Sequence, residues 1–286
     1  MSDKEEKKEN IMGTLGITRL IMKMSLPLMI SMLIQALYNI VDSMFVARVS
    51  ETALTAVSLA FPLQNLLIAF GVGTGVGMAS YLSRKLGEKD TETATKAAGN
   101  GITLAVITWV LFAILGLTIV KPFMALFTDD AELLGLSTSY SEIVMIFSFF
   151  MLLSMMNERI LQGTGDSFSS MISQMTGAIT NIILDPVFIF VFTMGVNGAA
   201  IATVIGQAVG CTVSLYFVIR NKYIKIKPQH LKLEKRMVAS IYSVGAPTII
   251  TNSIGTVMTG AMNAILIGFS TTAVSVFSVY FKLQSF

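Results

Sequence analysis

The sequence predicts an all-α polytopic membrane protein, and three observations support this class. Hydrophobic residues make up 53% of the chain, charged residues only 13%, and the mean hydropathy is +0.73. A soluble globular chain carries about 25% charged residues. Apolar runs near the length that a helix needs to cross a bilayer recur along the chain. One long apolar stretch also occurs twice, which is typical of transporters built from two lobes.

Eight apolar segments are predicted to be spans, and short polar turns separate them. Continuous runs of this kind favour helices over barrel strands, in which apolar and polar residues would alternate. We expect the eighth segment to be too short to cross, because the chain ends within it. The segments are Leu20–Ala47, Ala53–Leu82, Ala97–Val120, Ser139–Leu161, Ser169–Phe192, Gly198–Arg220, Val238–Phe269 and Ala273–Phe286.

The repeat aligns the segment from Pro27 to Gln64 with the segment from Pro247 to Gln284, without a gap. Six predicted spans separate the two copies, so both run in the same direction and the repeat is parallel. We therefore expect a six-helix N-terminal lobe followed by the first one or two helices of a parallel second repeat. The parent protein would then have about twelve helices and about 440 residues. The matching pairs include Ser50/Ser270, Thr52/Thr272, Ala53/Ala273, Ser58/Ser278, Phe61/Phe281 and Leu63/Leu283.

Basic residues are concentrated before span 1, between spans 2 and 3, and between spans 6 and 7. The positive-inside rule places these segments, and with them the N-terminus, in the cytoplasm. We expect a multi-pass protein of the bacterial plasma membrane. The predicted divisions are a cytoplasmic tail (1–16), an N-terminal lobe (17–220), a basic cytoplasmic linker (221–237) and a partial C-terminal lobe (238–286). In the linker a topology signal is favoured over binding of anionic membrane lipid.

The glycine-rich run from Gly71 to Gly77 lies inside a predicted span. It contains two small-xxx-small pairs, which let helices approach closely, and it lacks the strand that a dinucleotide fingerprint requires. The sequence contains no Walker motif, metal-ligand cluster or catalytic triad. We therefore expect neither an enzyme nor a cofactor. The placement of the basic residues argues against nucleic acid, and no feature indicates an obligate protein partner.

Two aspartates lie deep within predicted spans, where a charge costs at least about 2.5–3.5 kcal/mol. Asp42 is in span 1 and Asp185 in span 5. Asn181 shares a helix face with Asp185, while Gln35 and Tyr38 share one with Asp42. Residues of this kind usually mark an ion or substrate path. The alternative is that they only hold helices together through hydrogen bonds.

Three further positions bear on this predicted site. Pro186 lacks an N–H, which leaves the carbonyl of Ile182 free to coordinate a cation. Thr203 in span 6 is a candidate hydroxyl neighbour of the acids. Lys282 is a further charge inside a predicted span. It is either a counter-charge for a cavity acid or a lysine that snorkels toward an interface.

Five motifs together resemble the multidrug and toxic compound extrusion (MATE) family, and within it the MepA-like branch. The resemblance implies twelve helices in two six-helix lobes around a V-shaped cavity. It also implies antiport of organic cations against H⁺ or Na⁺, with Asp42, Asn181 and Asp185 lining the cation site and Thr203 beside them. The seventh span has no acid where some branches place a coupling glutamate. The motifs are QALYNIVDSMFVAR, GVGMASYLSRKLGEKD, LQGTGDS, NIILDP and GAAIATVIGQ.

The predicted function is therefore secondary active efflux of small organic, cationic drugs, coupled to entry of H⁺ or Na⁺. One rival is a flippase for lipid-linked precursors, which would need a strongly basic cavity for pyrophosphate. The acids in the spans disfavour that cargo. The other rival is an inactive membrane fragment or a scaffold that does not transport.

Overall fold

The computed structural model describes residue 13 and residues 15–285, with side chains as far as Tyr280. Most of the predicted tail, residues 1–16, lies outside the described residues. Within the described part the chain is helical and contains no strand. Its helices are α1 (Ile17–Ala47), α2 (Glu51–Gly87), α3 (Thr91–Thr118), α4 (Val120–Met124), α5 (Ala131–Ile146), α6 (Phe149–Gly163), α7 (Ser167–Pro186), α8 (Gly195–Ile219), α9 (Lys235–Ile267) and α10 (Thr271–Ser285). A π-helical turn (Val187–Val191) continues α7, and a 3-10 helix (Pro228–Leu231) precedes α9.

Six helices are long and apolar enough to cross a membrane, namely α1, α2, α3, α7 with its π-helical turn, α8 and α9. The bent pair of α5 and α6 adds a seventh span if the two are counted together, and the apolar part of α10 is shorter. Each of the eight predicted spans corresponds to one of these helices or to the bent pair. The prediction of a helical, multi-pass membrane protein is confirmed.

The fourth predicted span, Ser139–Leu161, is wrong in one respect, because it is not one continuous helix. Its two halves, α5 and α6, meet at an angle of 46° near Ser148. The bend frees carbonyl groups that need new partners. The hydroxyl of Ser148 donates to the carbonyl of Met145 at 2.7 Å, and the indole N–H of Trp109 in α3 donates to the carbonyl of Ile146 at 2.8 Å.

Helix α2 is the most buried of the spanning helices, and its glycines explain how it packs on both sides. A Cβ added to Gly75 would lie 2.8 Å from Cγ of Arg159 in α6. A Cβ added to Gly73 would lie 2.8 Å from the carbonyl oxygen of Gly245 in α9. Close approach of this kind requires residues without a side chain. The predicted packing role of the glycine run is confirmed, with Gly71/Gly75 facing α6 and Gly73/Gly77 facing α9.

The two repeat copies fold alike. Helices α1 and α9 end in short turns that lead into α2 and α10, at matching positions of the repeat. In the first turn Oγ of Ser50 accepts the N–H of Ala53 at 2.9 Å. In the second turn Oγ of Ser270 accepts the N–H of Ala273 at 3.1 Å. The same N-cap therefore starts the second helix of each copy.

The copies also meet at a pair of matching residues. Thr55 and Ser275 stand 220 residues apart, and their hydroxyl oxygens are 2.7 Å apart in a buried position. Two equivalent points of a two-fold repeat can touch only near the axis that relates them. If a two-fold axis relates the copies, as the sequence predicts, it runs beside this hydroxyl pair, between α2 and α10.

The segment that leads from α8 to α9 is held against α3. The buried side chain of Asn100 donates to the carbonyl of Lys232 at 3.1 Å and accepts the N–H of Glu234 at 2.9 Å. The hydroxyl of Thr103 donates to the carbonyl of Leu231 at 2.7 Å. These bonds fix the predicted basic linker (221–237) to the N-terminal helices. Its location in the cytoplasm stays a prediction.

Candidate cation site

The candidate site lies where α1, α7 and α8 pack together. Helix α1 contributes Asp42, α7 contributes Asn181 and Asp185, and α8 contributes Thr203. All four side chains are buried, and Asp185 is fully so at 0% exposure. Asp42 lies within electrostatic range of Asp185. The structure therefore brings together, from three helices, the residues that sequence reasoning proposed for one site.

Asn181 links Asp185 and Thr203 through hydrogen bonds. Its Nδ2 donates to Oδ1 of Asp185 at 3.2 Å, one turn further along α7, and to Oγ1 of Thr203 at 3.4 Å. Two buried oxygens, Oδ1 of Asn181 and Oδ2 of Asp185, accept no hydrogen bond from the described residues. Buried acceptors of this kind normally have a partner. The pair is therefore suited to bind a proton or a small cation.

Glycines let α7 and α8 approach closely enough to form this group. A Cβ added to Gly206 would lie 2.8 Å from the carbonyl oxygen of Gly177 and 2.9 Å from Cβ of Asn181. Since Gly206 follows Thr203 by about one turn of α8, the close contact sets the distance between Thr203 and Asn181. A larger residue at position 206 would separate the two helices at the site.

Helix α7 changes its geometry directly after Asp185. Pro186 is its last residue, and the chain continues as a π-helical turn, in which the N–H of Phe192 donates to the carbonyl of Val187 at 2.9 Å. A proline supplies no N–H to the carbonyl four residues earlier, which here belongs to Ile182. π-Helical turns are frequent at functional sites. The coordinating role of the Ile182 carbonyl stays a prediction.

The remaining predicted site residues have different outcomes. Tyr38 lies within electrostatic range of both aspartates, as its spacing to Asp42 suggested. Gln35 is exposed and makes no hydrogen bond to the other site residues in the described structure. Lys282 belongs to α10, but its side chain lies outside the described residues, so both interpretations of this lysine stay open.

Sequence reasoning missed a tyrosine within electrostatic range of the aspartates and the glutamine that bonds to it. Tyr140 of α5 is buried and lies within electrostatic range of Asp42 and Asp185. Nε2 of Gln64 in α2 donates to its hydroxyl at 3.3 Å. A tyrosine inside an apolar segment is a weak signal by itself. The proximity of Tyr140 to the aspartates depends on how α5 packs, which the linear pattern does not show.

Charge balance at the site is unusual for the interior of a protein. Among the described residues Asp185 forms no ion pair. A buried carboxylate is normally paired with a cation or becomes neutral by binding a proton. One proton or one monovalent cation bound at Asp185 would therefore neutralise its buried carboxylate.

Comparison with known proteins places this arrangement in a family. The MatE family model matches residues 27–187, from the middle of α1 to the end of α7. The multidrug export protein MepA of Staphylococcus haemolyticus is 28% identical over 273 residues, which cover 95% of this chain and 60% of MepA. The chain thus spans about three fifths of the length of the relatives it matches.

Solved structures agree with this match. An inward-facing multidrug resistance MATE family transporter of the MOP superfamily is 29% identical, with a TM-score of 0.81 over 91% of this chain and 60% of its own. A MOP superfamily transporter from Pyrococcus furiosus, whose binding pocket of reverse polarity suggests a different function, is 30% identical. Its TM-score is 0.81 over 86% of this chain and 55% of its own. Since the family model also covers more than half of the sequence, the chain belongs to the MatE family.

Proposed function

We propose that this chain forms part of a multidrug exporter in which entry of H⁺ or Na⁺ at the Asp42/Asp185 site drives export of small organic cations. The similarity to multidrug export proteins supports the transport activity. The observation that carries the coupling is the pair of buried oxygens on Asn181 and Asp185 that accept no hydrogen bond from the described residues.

The side chains present fit either coupling ion. A proton would neutralise the buried carboxylate of Asp185 and remove the cost of a charge inside the membrane. A Na⁺ ion would take hard oxygen ligands, which the carboxylates, the Asn181 amide and the Thr203 hydroxyl supply. Both ions compensate the same negative charge. The site by itself therefore supports cation coupling without selecting between the two.

Transport follows if the site holds its cation more tightly in one conformation than in the other. A ligand shifts a conformational equilibrium only through such a difference in affinity. When the site opens to water, hydration competes with the protein for the cation, and when it closes, the buried carboxylate needs a positive charge. Binding on one side and release on the other would then drive the conformational cycle that carries the drug outward.

The test is efflux of a cationic dye from vesicles that contain the native full-length protein. The H⁺ and Na⁺ gradients are collapsed separately, and we expect only one collapse to stop efflux. Asp185→Asn should reduce gradient-driven efflux to background. Asparagine keeps the shape of aspartate but has no negative charge with which to bind H⁺ or Na⁺. Asn181→Ala should be milder, because water can replace part of its coordination.

Asp129→Asn, in the exposed loop before α5, is the control and should leave efflux unchanged. Normal efflux by Asp185→Asn at equal protein abundance would contradict coupling at this site. The same vesicles, loaded with an anionic dye, test the charge of the cargo. Transport of the anionic dye alone would contradict export of organic cations and favour a cargo such as a lipid-linked phosphate.

A further inference from the structure

A second carboxylate inside the helical bundle belongs to Glu158 of α6, which sequence reasoning did not single out. Its Oε1 accepts the hydroxyl of Ser154 at 3.0 Å, and its Oε2 accepts Nε2 of Gln174 in α7 at 2.8 Å. The same Gln174 nitrogen lies 3.5 Å from Oγ of Ser170. These four side chains form the Glu158 cluster.

The Glu158 cluster is separate from the aspartate site but lies in line with it. Gln174, Asn181 and Asp185 are spaced by seven and four residues, so all three stand on one face of α7. Gln174 precedes Asp185 by about 16 Å along the helix axis, at 1.5 Å per residue. The cluster therefore lies between the aspartates and the turn that joins α6 to α7.

Glu158 makes no direct contact with a cation, although Arg159 lies within electrostatic range of it. Arg159, the next residue, packs against α2 and donates its Nη1 to Oε1 of Gln162 at 2.9 Å instead of pairing with Glu158. Cys211 is the titratable group that faces Glu158 from α8, and α7 presents neutral amides and hydroxyls. Among the described residues Glu158 forms no ion pair.

The cluster is also connected to the end of the helix pair. Nε2 of Gln162, in the last turn of α6, donates to Oγ of Ser170 at 2.9 Å. Polar side chains thus continue from Glu158 through Gln174 and Ser170 to the α6–α7 turn, which the sequence predicts to be cytoplasmic.

We infer that the Glu158 cluster is a second binding station for a monovalent cation, located between the Asp42/Asp185 site and the α6–α7 turn. It would hold H⁺ or Na⁺ on its way between the aspartates and the cytoplasm, so this inference rests on the proposed function. One carboxylate held by a hydroxyl and an amide N–H carries a single negative charge and can balance one monovalent cation. A divalent ion would leave an excess charge inside the membrane.

The test measures carboxyl reactivity in the purified, unmodified protein. Protonated carboxyl groups in apolar surroundings add to dicyclohexylcarbodiimide, the oxygen bonding to its central carbon and the proton passing to its nitrogen, and mass spectrometry locates the adducts. We expect adducts at both Glu158 and Asp185, with yields that rise as the pH falls. Excess Na⁺ should protect both carboxyls if Na⁺ is the ion, and neither if it is H⁺. Glu142 on α5 serves as a reference for a carboxyl outside the cluster.

The outcomes separate this inference from the proposed function. Adducts at Asp185 without any at Glu158, across the whole pH range, would overturn the second station and leave the first site intact. Failure of both to react would contradict both proposals. We expect the Glu158→Gln variant to export dye about tenfold more slowly than the unmodified protein. This is the lower end of the range of losses seen when a residue that supports a bound ion is removed. This variant should still label at Asp185, and Glu142→Gln should transport normally.

Discussion

The first repeat copy, formed by α1 and the start of α2, differs from the second, formed by α9 and α10, at the positions that carry chemistry. The first copy has Asp42 where the second has Met262, and Tyr38 where the second has Met258. Titratable groups in one copy thus correspond to thioethers in the other. The candidate cation site accordingly lies within the N-terminal helices, and the repeat does not duplicate it in the described part of α9.

What the copies share is helix geometry. Pro27 lies inside α1 and Pro247 inside α9, and in each case a hydroxyl one turn later donates to the proline carbonyl. Ser31 does so at 3.1 Å and Thr251 at 2.9 Å. A repeat with matching prolines and caps but unequal chemistry indicates that the duplicated feature is the framework of the helix pair. The proposed cation binding would then be a specialisation of one copy.

The strongest test of this asymmetry substitutes the two matching residues, Asp42 and Met262, one at a time. Asp42→Asn should reduce dye efflux to background, because it removes a charge that balances the coupling cation. Met262→Leu should leave efflux within about twofold of the unmodified protein, since exchanges that keep the volume are tolerated in packed helices. Protein abundance is measured for both variants. Equal losses in the two variants would mean that both copies act in coupling.

Topology offers a second, all-or-none test. If the repeat is parallel, the turns after α1 and α9 face the same side, so cysteines at Val49 and Phe269 should react with an impermeant reagent added outside. Both positions are exposed. A cysteine at Lys89, in the turn after α2, should react only from the cytoplasm, following the bias of the basic residues. Opposite labelling of Val49 and Phe269 would contradict a parallel repeat.

Much of the fold was predictable because each spanning helix carries its own apolar signal. The ends of the helices were less predictable. Helix α3 begins at Thr91, although the apolar run suggested Ala97. The side chain of Asp90 accepts the N–H of Thr93 at 3.0 Å and starts the helix within polar sequence. Hydropathy locates the part of a helix in the lipid, whereas capping residues show where the helix begins.

The candidate site was predictable where its contacts are local. Asn181 and Asp185 are four residues apart on one helix, so sequence spacing alone brings them together. Tyr140 and Glu158 depend on contacts with Gln64 and Gln174 of other helices, which no spacing rule reveals. The bend between α5 and α6 escaped prediction for the same reason. The indole of Trp109, which donates to the carbonyl of Ile146 at this bend, comes from a different helix.

The smallest expected effect concerns the contact on the repeat axis. The hydroxyl of Thr55 also lies 3.0 Å from the carbonyl oxygen of Glu51. The hydroxyl of Ser275 lies 3.4 Å from the carbonyl oxygen of Thr271. Each hydroxyl has one proton, so one of the two must donate across the axis and the other back into its own helix. Thr55→Val should therefore remove the bond between the copies and still leave Ser275 a partner. We expect a loss of about 1 kcal/mol.

A double-mutant cycle isolates this bond from the effects of each substitution alone. Thr55→Val, Ser275→Ala and the double variant are compared by unfolding in detergent. We expect a coupling of about 0.5–1 kcal/mol, because the second substitution has no bond left to break. Thr272→Ala in the same turn of α10 is the control, since its partner Glu51 is not its repeat equivalent. Additive losses at Thr55 and Ser275 would mean that the matching residues do not bond across the axis.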